Sequence, residues 1–193
     1  MALPITKKWR DWHIPLSQER ATLSEALANL QALGAKQAEI PLMVQLVENP
    51  NFDLPGGDLF HGRVDLQTHD IIHILLGRGL LMNDEAFAIG FTMGSTNRVT
   101  TTEELLYTLI SKYVYPNVYQ FDDAAVRIFR DATKLGYISD CTPLNQIDFE
   151  PLMGEPLDRV REVIGLEPEL LRAYYEIEKR RCSNNSASQR LLD

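Results

Sequence analysis

One stretch narrows what this chain can fold into: Thr68-His69-Asp70-Ile71-Ile72-His73-Ile74-Leu75-Leu76-Gly77. Its aliphatic residues belong in a core. Its two imidazoles and its carboxylate are costly to bury without partners. Helical geometry resolves the conflict, because each residue of an α-helix turns by about 100°. With His69 at zero, His73 falls at about 40° and Asp70 at about 100°. All three side chains then share one arc of a helix running from about Asp65 to Gly77.

Gly77-Arg78-Gly79 breaks that helix, and Glu85 follows His73 after eleven intervening residues, near the start of the next helix. If the two helices form a hairpin, Glu85 returns close to the turn that carries His73. Two imidazoles with one or two carboxylates suit zinc, or iron or manganese. An i, i+4 histidine pair is also how zincins present two imidazoles to one ion. The expected metal ligands are therefore His69, Asp70, His73 and Glu85, with zinc first among divalent ions. The competing reading gives each residue a separate structural role, with the histidines in the core, Asp70 as a first-turn acid and Glu85 at the positive end of its own helix. Four such coincidences amid Ile71, Ile72, Leu75 and Leu76 weigh against it.

Asp58, His61 and Asp65 form a weaker cluster upstream, with Asp65 and His69 again at i, i+4. They can add a ligand, orient His69 or act as a base. A helix cap for Asp65 and a loop position for His61 are the simpler readings. His13 is isolated and takes no role.

Helical punctuation runs through the rest of the chain. Ser17 reads as an N-cap for a helix bearing Leu23, Ala26, Leu27 and Leu30, with Gly34 as its stop. A second helix spans about Ala38 to Glu48, followed by a loop around Pro55-Gly56-Gly57. Asn83 or Asp84 caps the helix after the motif, where Gly90 and Gly94 permit close packing. Thr101 with Glu104 reads as a capping box for a helix carrying Leu105, Leu106, Leu109, Ile110 and Tyr113. Tyr113, Tyr115 and Tyr119 gather near a turn. Asp122 caps a helix ended by Gly136, and Pro156 and Pro168 open two more, the first ending at Gly165. Trp9 and Trp12 pack onto the body or onto a partner.

No run alternates as strands do. The fold class is all-α, a single-domain helical bundle of about eight helices, over residues 1–182. Ser183-Asn184-Asn185-Ser186-Ala187-Ser188 marks residues 183–193 as a disordered tail.

The 193 residues suffice to bury one core. A net charge of -8 argues against nucleic-acid binding, which needs a basic face. Two separated cysteines, Cys141 and Cys182, fit a reducing compartment. There is no apolar signal core at the start and no run of about 18 apolar residues. The expectation is a cytoplasmic protein, with attachment to a membrane surface open.

His69-Asp70-x-x-His73, eleven residues, then Glu85 resembles the signature of the ubiquinone (coenzyme Q) biosynthesis protein family, COQ member four, in which this chain would be a distant branch. Leu75-Leu76-Gly77 is similar too. Downstream, Phe149-Glu150, Pro156-Leu157 and Arg161-Glu162-x-x-Gly165-Leu166 keep the family's residue types in register. The N-terminal third and residues 95–140 show no clear match.

The resemblance implies an all-α fold with zinc on His69, Asp70, His73 and Glu85. It implies a prenylated lipid or quinone precursor in an apolar cavity, and work with quinone-biosynthesis enzymes at a membrane surface, peripheral to the inner membrane. It also implies a metal-dependent lyase (decarboxylase) that removes the ring carboxylate of a prenylated hydroxybenzoate. The metal would act there as Lewis acid. Alternatively Asp70, freed from it, would move a proton, which makes Asp70 the candidate catalytic residue.

Two other classes stand beside this one: an unrelated metal-dependent hydrolase, and a structural metal-binding interaction module without catalysis. Zincin-like proteolysis needs a glutamate directly after the first histidine, where this chain has the shorter Asp70. A His-Asp phosphohydrolase wants further separated histidines, and none follows His73.

Overall fold

The computed structural model describes residues 9–33, 61–114 and 120–192, the side chain of Trp9 apart. The expected helix over 38–48, the Pro55-Gly56-Gly57 loop, Gly34, Asp58, Tyr115, Pro116 and Tyr119 lie outside the described residues. Those described form eight α-helices: α1 Leu23–Gln31, α2 Leu66–Leu75, α3 Met82–Ser95, α4 Thr101–Tyr113, α5 Asp123–Ile138, α6 Leu157–Val163, α7 Pro168–Arg181 and α8 Ser186–Gln189. Their only β pairing is an isolated bridge between Thr22 and Pro156. The all-α expectation holds. Among the described residues, no helix is long and apolar enough to cross a membrane.

Capping chemistry sets the helix starts. Thr22, not Ser17, caps α1: its hydroxyl accepts from the Glu25 N–H at 3.2 Å, and Glu25 accepts from the Thr22 N–H at 3.0 Å. Ser17 instead lies inside a turn closed by the Gln18 N–H on the Pro15 carbonyl. The box on α4 is Thr100 with Glu103, one residue before the expected pair, and Glu104 is engaged by Arg130 at 3.3 Å. Asp65 caps α2, accepting from the Thr68 N–H at 2.8 Å. Asp122 caps α5. Asp84 serves α3 from its third position, accepting from the Leu81 N–H at 3.0 Å.

The centre of the molecule is the contact of α3 with α5. A Cβ on Gly90 would lie 2.4 Å from the Phe129 carbonyl oxygen, and one on Gly94 only 2.0 Å from that of Thr133. Gly136 answers from α5, where a Cβ would meet the Phe91 oxygen at 2.3 Å. Gly136 is therefore a packing position rather than a stop, and α5 continues to Ile138. Phe87, Phe91, Phe129 and Tyr107 fill the space around this contact, all buried. Each such side chain contributes about 1.5–3 kcal/mol on leaving water. Trp12 joins the body, fully buried, and donates to Asn29 Oδ1 at 2.9 Å.

Two faces differ from expectation. On α4 the buried side is Tyr107, Thr108 and Ser111, while Leu105, Leu106, Leu109 and Tyr113 are exposed. Tyr107 fixes that rotation by stacking on Phe129, with ring centroids 4.9 Å apart. The tail expected to be disordered is ordered from 183 to 192. Asn185 caps α8, and Ala187, Ser188 and Leu191 are buried. Composition alone does not register that Ser188 and Asn83 have each other as partners, at 3.0 Å.

Candidate metal centre

Helix α2 is buried along Ile71–Leu75, and its end is held unusually firmly. The last carbonyls of a helix lack intrahelical donors. Here Arg161, itself buried, supplies them: Nε donates to the Leu75 oxygen at 2.9 Å and Nη2 to that of Ile74 at 3.4 Å. Tyr175 Oη donates to the Leu76 oxygen at 2.5 Å. Gly77 then takes φ 65°, a left-handed turn that favours glycine. His13 closes on that turn, its Nε2 donating to the Gly77 oxygen at 3.0 Å.

This turn brings α3 back against α2, and the hairpin meets at three side chains. His69 Nε2 and His73 Nε2 are 3.3 Å apart. Glu85 Oε2 lies 3.4 Å from the first and 3.3 Å from the second. The group can hold a metal ion. An ion about 2.0–2.1 Å from each of three donors at tetrahedral angles spaces those donors about 3.3–3.4 Å apart. A charge-assisted N–H···O bond would draw its atoms to about 2.7–2.9 Å instead. The three donors thus fit the spacing of one bound ion, while the His73–Glu85 contact is also a long hydrogen bond.

The ring of His73 is oriented to serve as a ligand. Its Nδ1 must carry hydrogen, because it bonds the Gly79 carbonyl oxygen at 2.7 Å. In the neutral ring that leaves the Nε2 lone pair facing the triad, as metal-binding histidines arrange it. The side chain of His73 is 0% exposed, while those of His69 and Glu85 are 22% and 29% exposed. One side of the triad is accordingly open to solvent.

No family model, curated protein or solved structure matches this chain.

Asp70 stands beside the triad rather than in it; the ligand group comprises His69, His73 and Glu85. One residue after His69, it lies about 100° further round the helix on a short side chain. Its carboxyl still feels the site. Burial pushes it up to about 6, with His73 opposing and Glu85 adding to the rise. Burial would raise Glu85 as well, but the charges of His73 and His69 and the His73 hydrogen bond hold it down at about 2. Burial takes His69 down to about 4, against the pull of Glu85. Burial also opposes charge on His73, yet Glu85 outweighs it and raises that ring. Glu85 thus favours charge on His73, while burial keeps His69 neutral.

Of the upstream cluster, the described residues His61 and Asp65 do not join the triad. His61 Nδ1 pairs with Glu103 on α4 at 2.6 Å, and Asp65 is spent as the α2 cap. The residues that sequence reasoning missed lie behind the turn. Arg78 is fully buried, forms a bidentate pair with Glu178 at 3.0 and 2.6 Å, and sits between the rings of Phe87 and Tyr175. Asp84 is buried and bonded by Arg190 at 2.6 Å. The one available signal was an arginine inside an otherwise apolar break, Gly77-Arg78-Gly79-Leu80-Leu81.

Proposed function

We propose that this chain is a divalent-metal protein, with zinc the best match, and that its ion acts on a bound substrate rather than only bracing the fold. The observation that carries the reading is the triangle of 3.3, 3.3 and 3.4 Å among the two Nε2 atoms and Glu85 Oε2. Three protein ligands with an open fourth position are the pattern of catalytic zinc, whereas structural zinc is closed by four. When bound, such an ion supplies Lewis acidity to an oxygen of the substrate. His69 and His73 offer neutral nitrogens, and Glu85 offsets the charge of the ion. Asp70, whose carboxyl burial raises, stands beside them as the group to hold or release a proton.

For the substrate, the motif resemblance favours a prenylated quinone precursor. The reaction would be loss of the ring carboxylate from a prenylated hydroxybenzoate, carried out with other quinone-biosynthesis enzymes at a membrane surface. Asp70 is the proton donor in that reading. A hydrolase using the same open position is the second reading, favoured by the solvent exposure of His69 and Glu85.

Native mass spectrometry of the zinc-reconstituted protein should show one ion per chain, absent in His73→Ala. A wild-type chain that takes up no ion would sink the metal reading. Incubation of the loaded protein with a prenylated hydroxybenzoate should release carbon dioxide. A loaded protein that neither binds nor converts that compound overturns the quinone reading and leaves the metal reading intact.

A further inference from the structure

The triad is set by a turn, and the turn is fastened from the far end of the chain. His73 takes its orientation from the Gly79 carbonyl. Gly79 leaves no room for a side chain: a Cβ there would lie 1.9 Å from Arg190 Nη2 and 2.6 Å from the Trp12 oxygen. The turn is thus pressed between the N-terminal segment and the Arg190 guanidinium. Arg190 spans both walls. Nη1 donates to the Arg10 carbonyl at 2.9 Å, and Nη2 donates to Asp84 Oδ2 at 2.6 Å. The same Asp84 oxygen accepts the Leu81 N–H at 3.0 Å, so it ties Arg190 to the start of α3, one residue before Glu85.

A second tie runs parallel. Ser188 Oγ donates to Glu178 Oε1 at 2.7 Å, and Asn83 Nδ2 donates to Ser188 Oγ at 3.0 Å. Glu178 in turn holds Arg78, the residue between the two glycines of the turn.

We infer that the C-terminal segment 185–191 is a positioning element of the metal centre, with Arg190, acting through Asp84 and the Gly79 carbonyl, holding His73 and Glu85 at one-ion spacing. The inference rests on the metal reading above. The described hydrogen bonds of Arg190 go to Asp84 and the Arg10 carbonyl, not to the triad; it is a positioning residue. Partners that orient a ligand typically matter 10–100-fold in metal affinity.

The test compares the full-length chain with Arg190→Ala, Arg190→Lys and the remote core variant Tyr107→Leu, which loosens the α4–α5 packing instead. Cobalt(II) replaces zinc as a coloured probe. Arg190→Ala should bind cobalt about 10–100-fold more weakly, with its visible bands shifted. Tyr107→Leu, despite a comparable loss of thermal stability, should keep both affinity and spectrum. Arg190→Lys keeps the charge but cannot reach the Asp84 carboxylate and the Arg10 carbonyl together, so it should fall between, and it serves if the alanine variant does not fold. Unchanged cobalt affinity and spectrum in a folded Arg190 variant overturns the inference.

A metal-independent readout separates this from the metal reading. The Nδ1–H of His73 should give a slowly exchanging proton resonance in metal-free wild type and lose that protection in Arg190→Ala. If wild type binds no cobalt, the metal reading fails, and this proton alone decides whether the clamp exists. Equal protection in both proteins disproves the clamp.

Discussion

Replacing Asp70 with asparagine should make the metal-free protein more stable at neutral pH. Burial lifts the Asp70 carboxyl from 3.8 to about 6. The folded value lies above the unfolded one, so the proton is bound more tightly in the native state. Asp70 therefore costs nothing below about pH 3.8, and its penalty grows as pH rises towards 6 and levels off above it. A rise of roughly two units corresponds to about 3 kcal/mol. The side chain is only partly buried, and solvent screening lowers this to about 1.5–3 kcal/mol. Asparagine keeps the size and the weak helix propensity but not the charge. Urea unfolding with a chelator present, followed by the fluorescence of buried Trp12, measures the difference. Asp70→Asn should match wild type near pH 4 and exceed it near pH 7.5. A divalent ion on the triad adds positive charge nearby and should shrink the gain. Superimposed curves at pH 7.5, or an equal gain at both pH values, would refute the assignment of burial as the cause. The same variant should lose turnover if Asp70 moves the proton, a trade of activity for stability.

Gly94→Ala should destabilise the fold by about 1–3 kcal/mol or more, seen as a lower Tm, because its methyl has no room against the Thr133 carbonyl. Arg161→Met should cost about 1–3 kcal/mol and speed amide exchange in the last turn of α2, where the Leu75 carbonyl loses its Arg161 donor and that of Ile74 keeps only backbone ones. Zinc uptake should weaken as pH falls, because Glu85 raises His73 and so favours the protonated ring that competes with the ion; calorimetry in two buffers of different ionisation enthalpy at several pH values reads the protons exchanged. Glu178→Gln should cost about 3–5 kcal/mol by stranding the Arg78 charge, whereas the double change Arg78→Met with Glu178→Leu should recover most of it in urea unfolding.

The sequence made α2, α3 and the triad legible because they are local. His69, His73 and Glu85 fall within one helix, one glycine break and one further first turn, so a 3.6-residue period and a hairpin suffice to bring them together. Gly90 and Gly94 were likewise readable as a close-packing face, and α5 meets them there. Asp70 was placed on the right arc but at the wrong depth, since the period gives a direction and not a reach. Cap positions slipped by one at Thr100 and by five at Thr22, where competing threonines, serines and acids offer several chemically similar boxes. Illegible altogether was whatever joins distant segments. Arg78 pairs with Glu178 across 100 residues, Arg190 with Asp84 across 106, and Arg161 with Leu16 across 145. Tail composition misled for the same reason: Ser188 reads as solvated until Asn83 and Glu178, the distant partners of its buried hydroxyl, are known.

The two kinds of residue also differ in what they contribute. The aliphatic face of α2 and the α3–α5 contact stabilise the fold and would do so around any centre. The set of buried Arg78, Glu178 and Asp84 with the partly buried Arg190 is different, because charges taken from water recover little net stability from one another. Among the described residues, Asp84 Oδ1 and the Nε atoms of Arg78 and Arg190 have no hydrogen-bond partner, although Asp84 Oδ1 lies 4.0 Å from Arg78 Nη1. A core chosen for stability alone would fill this volume with apolar side chains. What the charged set supplies instead is direction: planar guanidiniums bonded in fixed geometry to a carboxylate and a backbone carbonyl, all converging on residues 77–84. Those residues determine where His73 and Glu85 stand. The polar set thus has its explanation in position rather than in energy, and it lies directly behind the group of side chains whose use depends on tenths of an ångström.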